Sequence, residues 1–296
     1  MRGIGDLDGV ASLQSDIDKV TAWAQQNMMV FNENKFVHMN INPTTFNHPI
    51  VTYNSSSNII PTKFNHIDLG ITMNGKLDFK QHICNLFAKA KSKSLWILRA
   101  FRTRESYPLM VLFKTMILPI LEYCIQVWSP VEKGLKLQIE SVQRFFTSKI
   151  AGLEANNYWQ RLEKLRIYSI QRRHERYLII YTWKIIEGIV PNPAPSYFEV
   201  IVNPRNGRKI KRLTQVSGTN RKITSLRHGS FFVVGPRLFN CLPKEVRDVT
   251  NVGVETFKKH LDRFIGAVPD EPPVYGAVWT NSLLDWRGVV ARRVAL

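Results

Sequence analysis

Hydrophobic residues are densest between Val111 and Ile125, where polar side chains are few. The run is shorter and more interrupted than the roughly 20 apolar residues that a membrane-spanning helix needs, so it predicts a buried core segment. After Pro130, apolar residues recur three or four positions apart, which is the spacing of one helix face. These residues are Leu135, Ile139, Val142, Phe145, Phe146 and Ile150. The pattern predicts an amphipathic helix packed beside a buried helix.

The N-terminal part begins with a helical pattern and continues with strand-like ones. Apolar residues recur at helical spacing from Leu13 to Gln26. Two short apolar runs, 28–31 and 36–39, flank a polar segment and predict a hairpin with its turn at 32–35. A second hairpin and a further strand are predicted from the runs 50–53, 59–60 and 64–72.

The remainder of the chain is mostly helical in pattern and rich in cations. A long helix is predicted from Phe79 to Phe101, with one apolar stripe and with several lysine and arginine residues on its other sides. Two helices are predicted between Tyr158 and Gly188, on either side of Arg172-Arg173-His174. From Asn203 to Arg227, eight cations occur among Asn, Gly, Ser and Thr without an acidic residue. That composition predicts a flexible basic loop.

The composition is globular and strongly basic. The 296 residues are 44% hydrophobic, and 41 Lys and Arg against 23 Asp and Glu give a net charge of +18. Such an excess favours polyanionic partners, because binding releases counterions from phosphates. A basic protein without a nucleic-acid partner is the alternative.

The cysteines and the N-terminal sequence indicate the cellular compartment in which the protein is expected. Cys84, Cys124 and Cys241 are far apart and show no metal-ligand spacing, which indicates a reducing intracellular compartment, nucleus or cytoplasm. Met1 to Val10 has no apolar core, so neither a signal peptide nor a membrane anchor is expected.

Several short signatures follow one another in a fixed order along the chain. They are Phe31–Lys35, Ile67–Ile71, Pro119–Tyr123, Val127–Pro130 and Ile139–Phe145. In this order they resemble the region at and after the end of the catalytic palm in LINE-type (jockey-like) non-LTR retrotransposon reverse transcriptases. The resemblance implies a mainly α chain with a small N-terminal β-hairpin region. This α+β fold would comprise the end of a polymerase palm, a helical thumb and a helical C-terminal module.

Composition and resemblance together divide the chain into five parts. A palm remnant with two hairpins is expected at residues 1–77, and a helical thumb-like domain at 78–200. A basic flexible loop at 201–230 leads to the C-terminal helical module at 231–265, and a disordered tail is expected at 266–296.

The resemblance also implies roles for residues of the palm remnant. Lys35 is expected near the phosphates of the incoming nucleotide, where a lysine offers charge, and a proton, to the leaving pyrophosphate. A solvated turn lysine is the alternative. Leu69 and Gly70 are expected to set the backbone turn of the primer grip, the hairpin that holds the primer end.

Nucleic-acid contacts are expected from cations of the thumb-like helix, the later helices and the basic loop. These cations are Lys89, Lys91, Lys93, Arg99, Arg172, Arg173, Arg205, Arg208, Lys209, Lys211 and Arg212. For the helix lysines, a solvated face with snorkelling side chains is the alternative. Arg172 and Arg173 could equally pair with Glu175 or Glu187, and the loop could serve as a nuclear localisation patch.

Carboxylates decide whether the chain can polymerise alone. Reverse transcription needs two metal ions held by carboxylates, and the resemblance places those carboxylates upstream of the matched region. Asp6 and Asp8 follow no apolar strand, so they are interpreted as turn or helix-cap residues.

The chain is therefore interpreted as part of an RNA-directed DNA polymerase that binds an RNA or RNA/DNA template-primer but is inactive alone. Magnesium is expected only in the full-length enzyme, and no cofactor is expected in this chain. The missing N-terminal palm and fingers would be its protein partner. A helical protein-interaction protein and a non-functional relic of a degraded element are the alternatives.

Overall fold

The structure is a computed structural model that describes residues 7–41, 52–55, 58–192, 199–202, 209–212, 229–270 and 282–286. The chain forms two compact units, Met1–Phe79 and Lys80–Leu296. The chain is mainly helical with small antiparallel strand pairs, as predicted. In the described part of the chain, no helix is both long enough and apolar enough to cross a membrane.

The described residues of the first unit form one α-helix and two small hairpins. The elements are helix α1 (Leu7–Gln26), a 3-10 turn (Glu33–Lys35), and strands β1 (Asn54–Ser55), β2 (Asn58–Ile59), β3 (Asn65–Asp68) and β4 (Ile71–Asn74). Strand β1 pairs antiparallel with β2, and β3 with β4. The Gln14 side chain fixes α1 to β1, because it donates to the Asn54 carbonyl at 2.9 Å and accepts from the Asn54 N–H at 3.0 Å.

The hairpin predicted from runs 28–31 and 36–39 is wrong. A 3-10 turn forms between them, closed by the Lys35 N–H donating to the Asn32 carbonyl at 3.0 Å. The second run then extends beside a different segment, since the His38 N–H donates to the Pro61 carbonyl and its own carbonyl accepts from the Lys63 N–H. The strand predicted from 64 to 72 is instead a hairpin, β3–β4, with its turn at Leu69 and Gly70.

In the residues that the structure describes, the second unit is helical apart from one strand pair. Its elements are α2 (Lys80–Ala100), α3 (Ser106–Leu112), a π turn (Phe113–Ile117), α4 (Leu118–Glu122), α5 (Ile125–Trp128), α6 (Lys133–Thr147), α7 (Tyr158–Leu165), α8 (Ile170–Ile186), β5 (Glu199–Val202), β6 (Lys209–Arg212), α9 (Phe231–Cys241), α10 (Lys244–Arg247), α11 (Val254–Ala267) and a 3-10 turn (Leu283–Asp285). Strands β5 and β6 pair antiparallel.

The apolar run predicted as one buried helix is buried but broken. A π turn precedes α4, whose Pro119 has no N–H to give to a regular helical ladder. Cys124 then takes a positive φ of 52° and separates α4 from α5. Helix α6 packs on this segment as predicted, with the Phe146 and Phe113 rings 5.0 Å apart.

The junction between α7 and α8 lies earlier than the sequence predicts. Helix α7 ends where Arg166 takes a positive φ of 50°, and α8 begins after Ser169, whose Oγ accepts from the Arg172 N–H at 3.1 Å. Arg172 and Arg173 therefore lie in the first turn of α8. Both ends are marked by local backbone geometry and not by a glycine or proline.

Helix α8 is the centre of the second unit's core. Its Trp183 stacks on Phe257 of α11 with ring centroids 4.4 Å apart. Helix α9 approaches α8 closely at Gly235, where a Cβ would lie 2.5 Å from the Thr182 Oγ1. The shape of the core at that point therefore requires glycine.

Part of the predicted disordered tail is ordered. Leu283 is 1% exposed within the α8–α9–α11 core, and Trp286 packs edge-on against Phe264 at 5.2 Å. Glu175 of α8 accepts from the Leu283 N–H at 2.8 Å. The prediction of a disordered tail from 266 is therefore wrong for 266–270 and 282–286, which pack through contacts with residues far away in sequence.

Candidate nucleic-acid interface

The cations predicted on the long basic helix do not form one cluster. Lys89, Lys93 and Arg99 lie with Trp96 on one side of α2, and Lys93 Nζ is 5.0 Å from the Trp96 ring centroid. Lys91 lies about 200° around the axis from Lys89, where its Nζ is 4.5 Å from the Phe145 ring of α6. We call the group Lys89, Lys93, Trp96 and Arg99 the α2 face.

The second group of cations lies around α6, which packs against α2 and against α7. Phe145 has Lys91 at 4.5 Å and Lys149 at 5.6 Å from its ring centroid. Arg144 lies over the Trp159 ring of α7 at 5.1 Å. We call Lys91, Arg144, Phe145, Lys149 and Trp159 the cation–aromatic patch. Its cations lie near the C-terminal end of α6, where the helix dipole favours positive charge.

None of the six cations in the α2 face and the cation–aromatic patch forms an ion pair with a carboxylate among the described residues. Other surface lysines do: Lys80 pairs with Glu132 at 2.9 Å and Lys258 with Glu255 at 2.6 Å. No described carboxylate compensates the charge of the two surfaces, so this charge is available to an anion.

Arg172 is not part of an interface, so its prediction as a nucleic-acid contact is wrong. Its side chain is 0% exposed and donates to the carbonyls of Val268 and Pro269 at 3.2 and 3.1 Å. It also faces Asp270 at 3.7 Å, and not Glu175 or Glu187. Burial of the guanidinium is tolerated because carbonyls and a carboxylate surround it.

Arg173 is engaged as well. It forms a bidentate ion pair with Glu122 of α4, in which Nη2 lies 3.1 Å from Oε2. Both side chains are largely buried. Neither of the predicted partners, Glu175 and Glu187, is used. The pair fastens α8 to α4, so Arg173 has a structural role that its sequence position did not indicate.

The acidic residues of the core are occupied by backbone and hydroxyl donors. Buried Glu140 accepts from the N–H groups of Ile170 and Gln171, both at 3.2 Å, and from the Tyr158 hydroxyl. Glu140 therefore caps the N-terminus of α8. Burial raises the pKa of its carboxyl to about 7, against the opposing effect of these hydrogen bonds.

His174 is also held by core contacts, like Glu140. Its Nε2–H donates to the Leu121 carbonyl at 2.8 Å, and its ring packs edge-on against buried Trp128 at 5.7 Å. Burial lowers the pKa of the imidazole to about 4, so it is neutral near pH 7. Among the described residues, no group of three or more His, Cys, Asp and Glu side chains is arranged to hold a metal ion.

The predicted palm residues lie on exposed turns. Lys35 ends the 3-10 turn and is exposed, so the predicted hairpin tip does not exist around it. Leu69 and Gly70 form the β3–β4 turn with φ of 47° and 81°. Two positive φ angles suit a tight two-residue hairpin turn, and the second requires a residue such as glycine.

The predicted basic loop contains a strand. Lys209, Lys211 and Arg212 belong to β6, which pairs with β5 in the register Val202↔Lys209 to Glu199↔Arg212. The flexible-loop prediction is therefore wrong at 209–212. Arg205 and Arg208 lie outside the described residues, as does Asp6, while Asp8 lies in the first turn of α1.

Sequence reasoning missed the aromatic members of both surfaces. Trp96 follows Lys93 by three positions, a helical spacing that places the two side chains together and could have been noticed. The proximity of Lys91 to Phe145, and of Arg144 to Trp159, depends on how three helices pack. No local pattern shows such contacts.

Comparisons of the chain with protein-family models, with curated proteins and with solved structures find no match.

Proposed function

We propose that the chain binds nucleic acid electrostatically, as the palm-end and thumb-like part of a non-LTR retrotransposon reverse transcriptase, and does not polymerise DNA alone. The observation that supports the proposal is the set of six cations without carboxylate partners among the described residues, placed on two surfaces of the helical unit. The order of the sequence signatures supplies the link to the family.

Phosphate binding follows from the character of these cations. Lys89 and Arg99 are exposed on a long helix whose opposite side is fixed in the core by Ile83, Ala90 and Ile97. Contacts with the phosphate backbone require positive charge but no base-reading code. A template-primer is therefore held irrespective of its sequence, and affinity falls steeply as salt rises.

The proposed inactivity is supported by the use of the buried carboxylates. Glu140 caps α8, Glu122 pairs with Arg173, and Asp270 accepts from the Ser169 N–H at 2.6 Å. Since each of these carboxylates already has donors, none of them is available to a pair of metal ions.

Two assays on the full chain test the proposal. In primer extension with magnesium and deoxynucleotides, we expect no product, and template-dependent extension would contradict the proposed inactivity. In anisotropy titrations with a labelled RNA/DNA duplex, we expect binding at low salt that weakens steeply as salt rises. No binding at low salt would contradict nucleic-acid binding altogether.

A second candidate is a helical protein-interaction protein. It is favoured by large apolar side chains exposed in the first unit, among them Trp23, Met28 and Val30. This candidate predicts no nucleic-acid binding even at low salt, so the same titration separates the two.

A further inference from the structure

Trp96 is an exposed aromatic residue within a cationic helix face. Its side chain is 51% exposed, whereas Trp128 and Trp183 of the same unit are fully buried. Lys93 lies 5.0 Å from its ring centroid. Trp96 is thus not a core residue, and its ring is accessible to a ligand.

The rest of the α2 face surrounds this ring with charge. Lys89 lies one helical turn before Lys93, and Arg99 lies about one turn after Trp96. The face therefore presents cations on both sides of one stacking surface. The buried residues Ile97 and Ser94 fix this part of α2 to the core, so the helix that carries the four side chains is held in place.

Exposed aromatic rings between cations suit one class of anionic polymer in particular. Single strands offer both phosphates and unpaired bases, and every base has a π face that stacks on an aromatic side chain. A duplex offers only phosphates to such a face, because its bases are stacked inside. An acidic peptide offers charge without a ring to stack.

We propose that the α2 face binds single-stranded nucleic acid, with one unpaired base stacked on Trp96 and the flanking phosphates at Lys89, Lys93 and Arg99. This inference rests on the proposed nucleic-acid binding. It adds a preference for single strands and places their binding site on the α2 face. The cation–aromatic patch, on another side of α2, remains available for the duplex part of the same substrate.

The test compares three probes on the full chain at fixed low salt. They are a thymidine oligonucleotide of about 12 nucleotides, within the size range of single-strand sites, an abasic oligonucleotide of the same length, and a duplex of that length. We expect the thymidine strand to bind about tenfold more tightly than the abasic strand, since stacking contributes about 1–3 kcal/mol per base. The two strands carry the same phosphates, so the ratio isolates stacking.

Variants locate the effect. Trp96→Ala is expected to bring the two strands to equal affinity and to leave duplex binding within about twofold, while Trp96→Phe keeps most of the preference. Trp23→Ala is the matched control, because Trp23 is 55% exposed in the other unit. Circular dichroism checks that each variant is folded.

The outcomes separate the inference from the proposal beneath it. Equal binding of thymidine and abasic strands by the unaltered chain, or a preference unchanged in Trp96→Ala, would overturn the stacking site while leaving electrostatic binding intact. Equal affinity for a poly-glutamate peptide would overturn it too. Failure to bind any of the nucleic-acid probes would refute the proposed function itself.

Discussion

Two buried ionisable residues of the second unit respond to pH in opposite directions. The pKa of Glu140 is raised from 4.5 to about 7, so between these values the folded chain retains a proton that the unfolded chain releases. Its contribution to the free energy of unfolding falls as pH rises through that window. The pKa of His174 is lowered from 6.5 to about 4, so its contribution falls as pH drops from 6.5 to 4.

Substituting each residue separately reveals its own contribution to the pH dependence of the free energy of unfolding. Relative to the unaltered chain, Glu140→Gln should gain stability as pH rises from 4.5 to 7, by on the order of 3 kcal/mol. His174→Gln should instead lose stability relative to the unaltered chain as pH rises from 4 to 6.5. Urea unfolding at several pH values measures both differences. Parallel pH profiles for the two variants would contradict the assigned burial.

Residue-scale misassignments have one cause, which is that the partner of a charged side chain is rarely visible in the sequence. Arg172 and Arg173 are adjacent, yet one reaches Asp270 and the other Glu122. Glu175 and Glu187 were the partners considered from the sequence, and neither is the partner. Tertiary packing decided both cases.

At the element scale, periodic sequence patterns were sufficient where one face is buried. Helix α2 was predicted from Phe79 to Phe101 and extends from Lys80 to Ala100, because its apolar stripe repeats at helical spacing. The buried run between Val111 and Ile125 has no such periodicity, so its division into α3, a π turn, α4 and α5 could not be read. The end of α7 depends on the left-handed backbone conformation of Arg166, which the residue type at that position does not indicate.

The C-terminal 3-10 turn offers the sharpest test at this scale. Leu283→Ala should lower the free energy of unfolding by about 2–4 kcal/mol, because it removes a core side chain that is 1% exposed. Leu284→Ala is the matched control, since that neighbour is 36% exposed and should cost less than about 1 kcal/mol. Urea unfolding provides the comparison. Equal, small effects of both substitutions would mean that this segment does not pack on α8.

For the whole molecule, the decisive property is where the excess positive charge lies. Net charge and the basic helix were evident from composition, so the sequence was sufficient to expect an anionic partner. The division of the cations between the α2 face and the cation–aromatic patch was not evident from the sequence, because it depends on how α6 packs against α2 and against α7. Lys35 and the Leu69–Gly70 turn, which the resemblance assigned to a palm, belong to the other compact unit.

The most direct test neutralises the α2 face and compares it with a charge-matched control. The variant Lys89→Ala/Lys93→Ala/Arg99→Ala removes three cations that have no carboxylate partner among the described residues. The control Lys19→Ala/Lys80→Ala/Lys258→Ala removes three cations paired with Asp16, Glu132 and Glu255. Both changes lower the net charge equally.

The measurement is the slope of log affinity for a thymidine single strand against log salt concentration. Loss of three phosphate contacts should reduce the magnitude of that slope by about 2, at roughly 0.7 per contact, while the control should leave it nearly unchanged. Equal slopes for the two variants, or binding by the unaltered chain that salt does not weaken, would contradict the account.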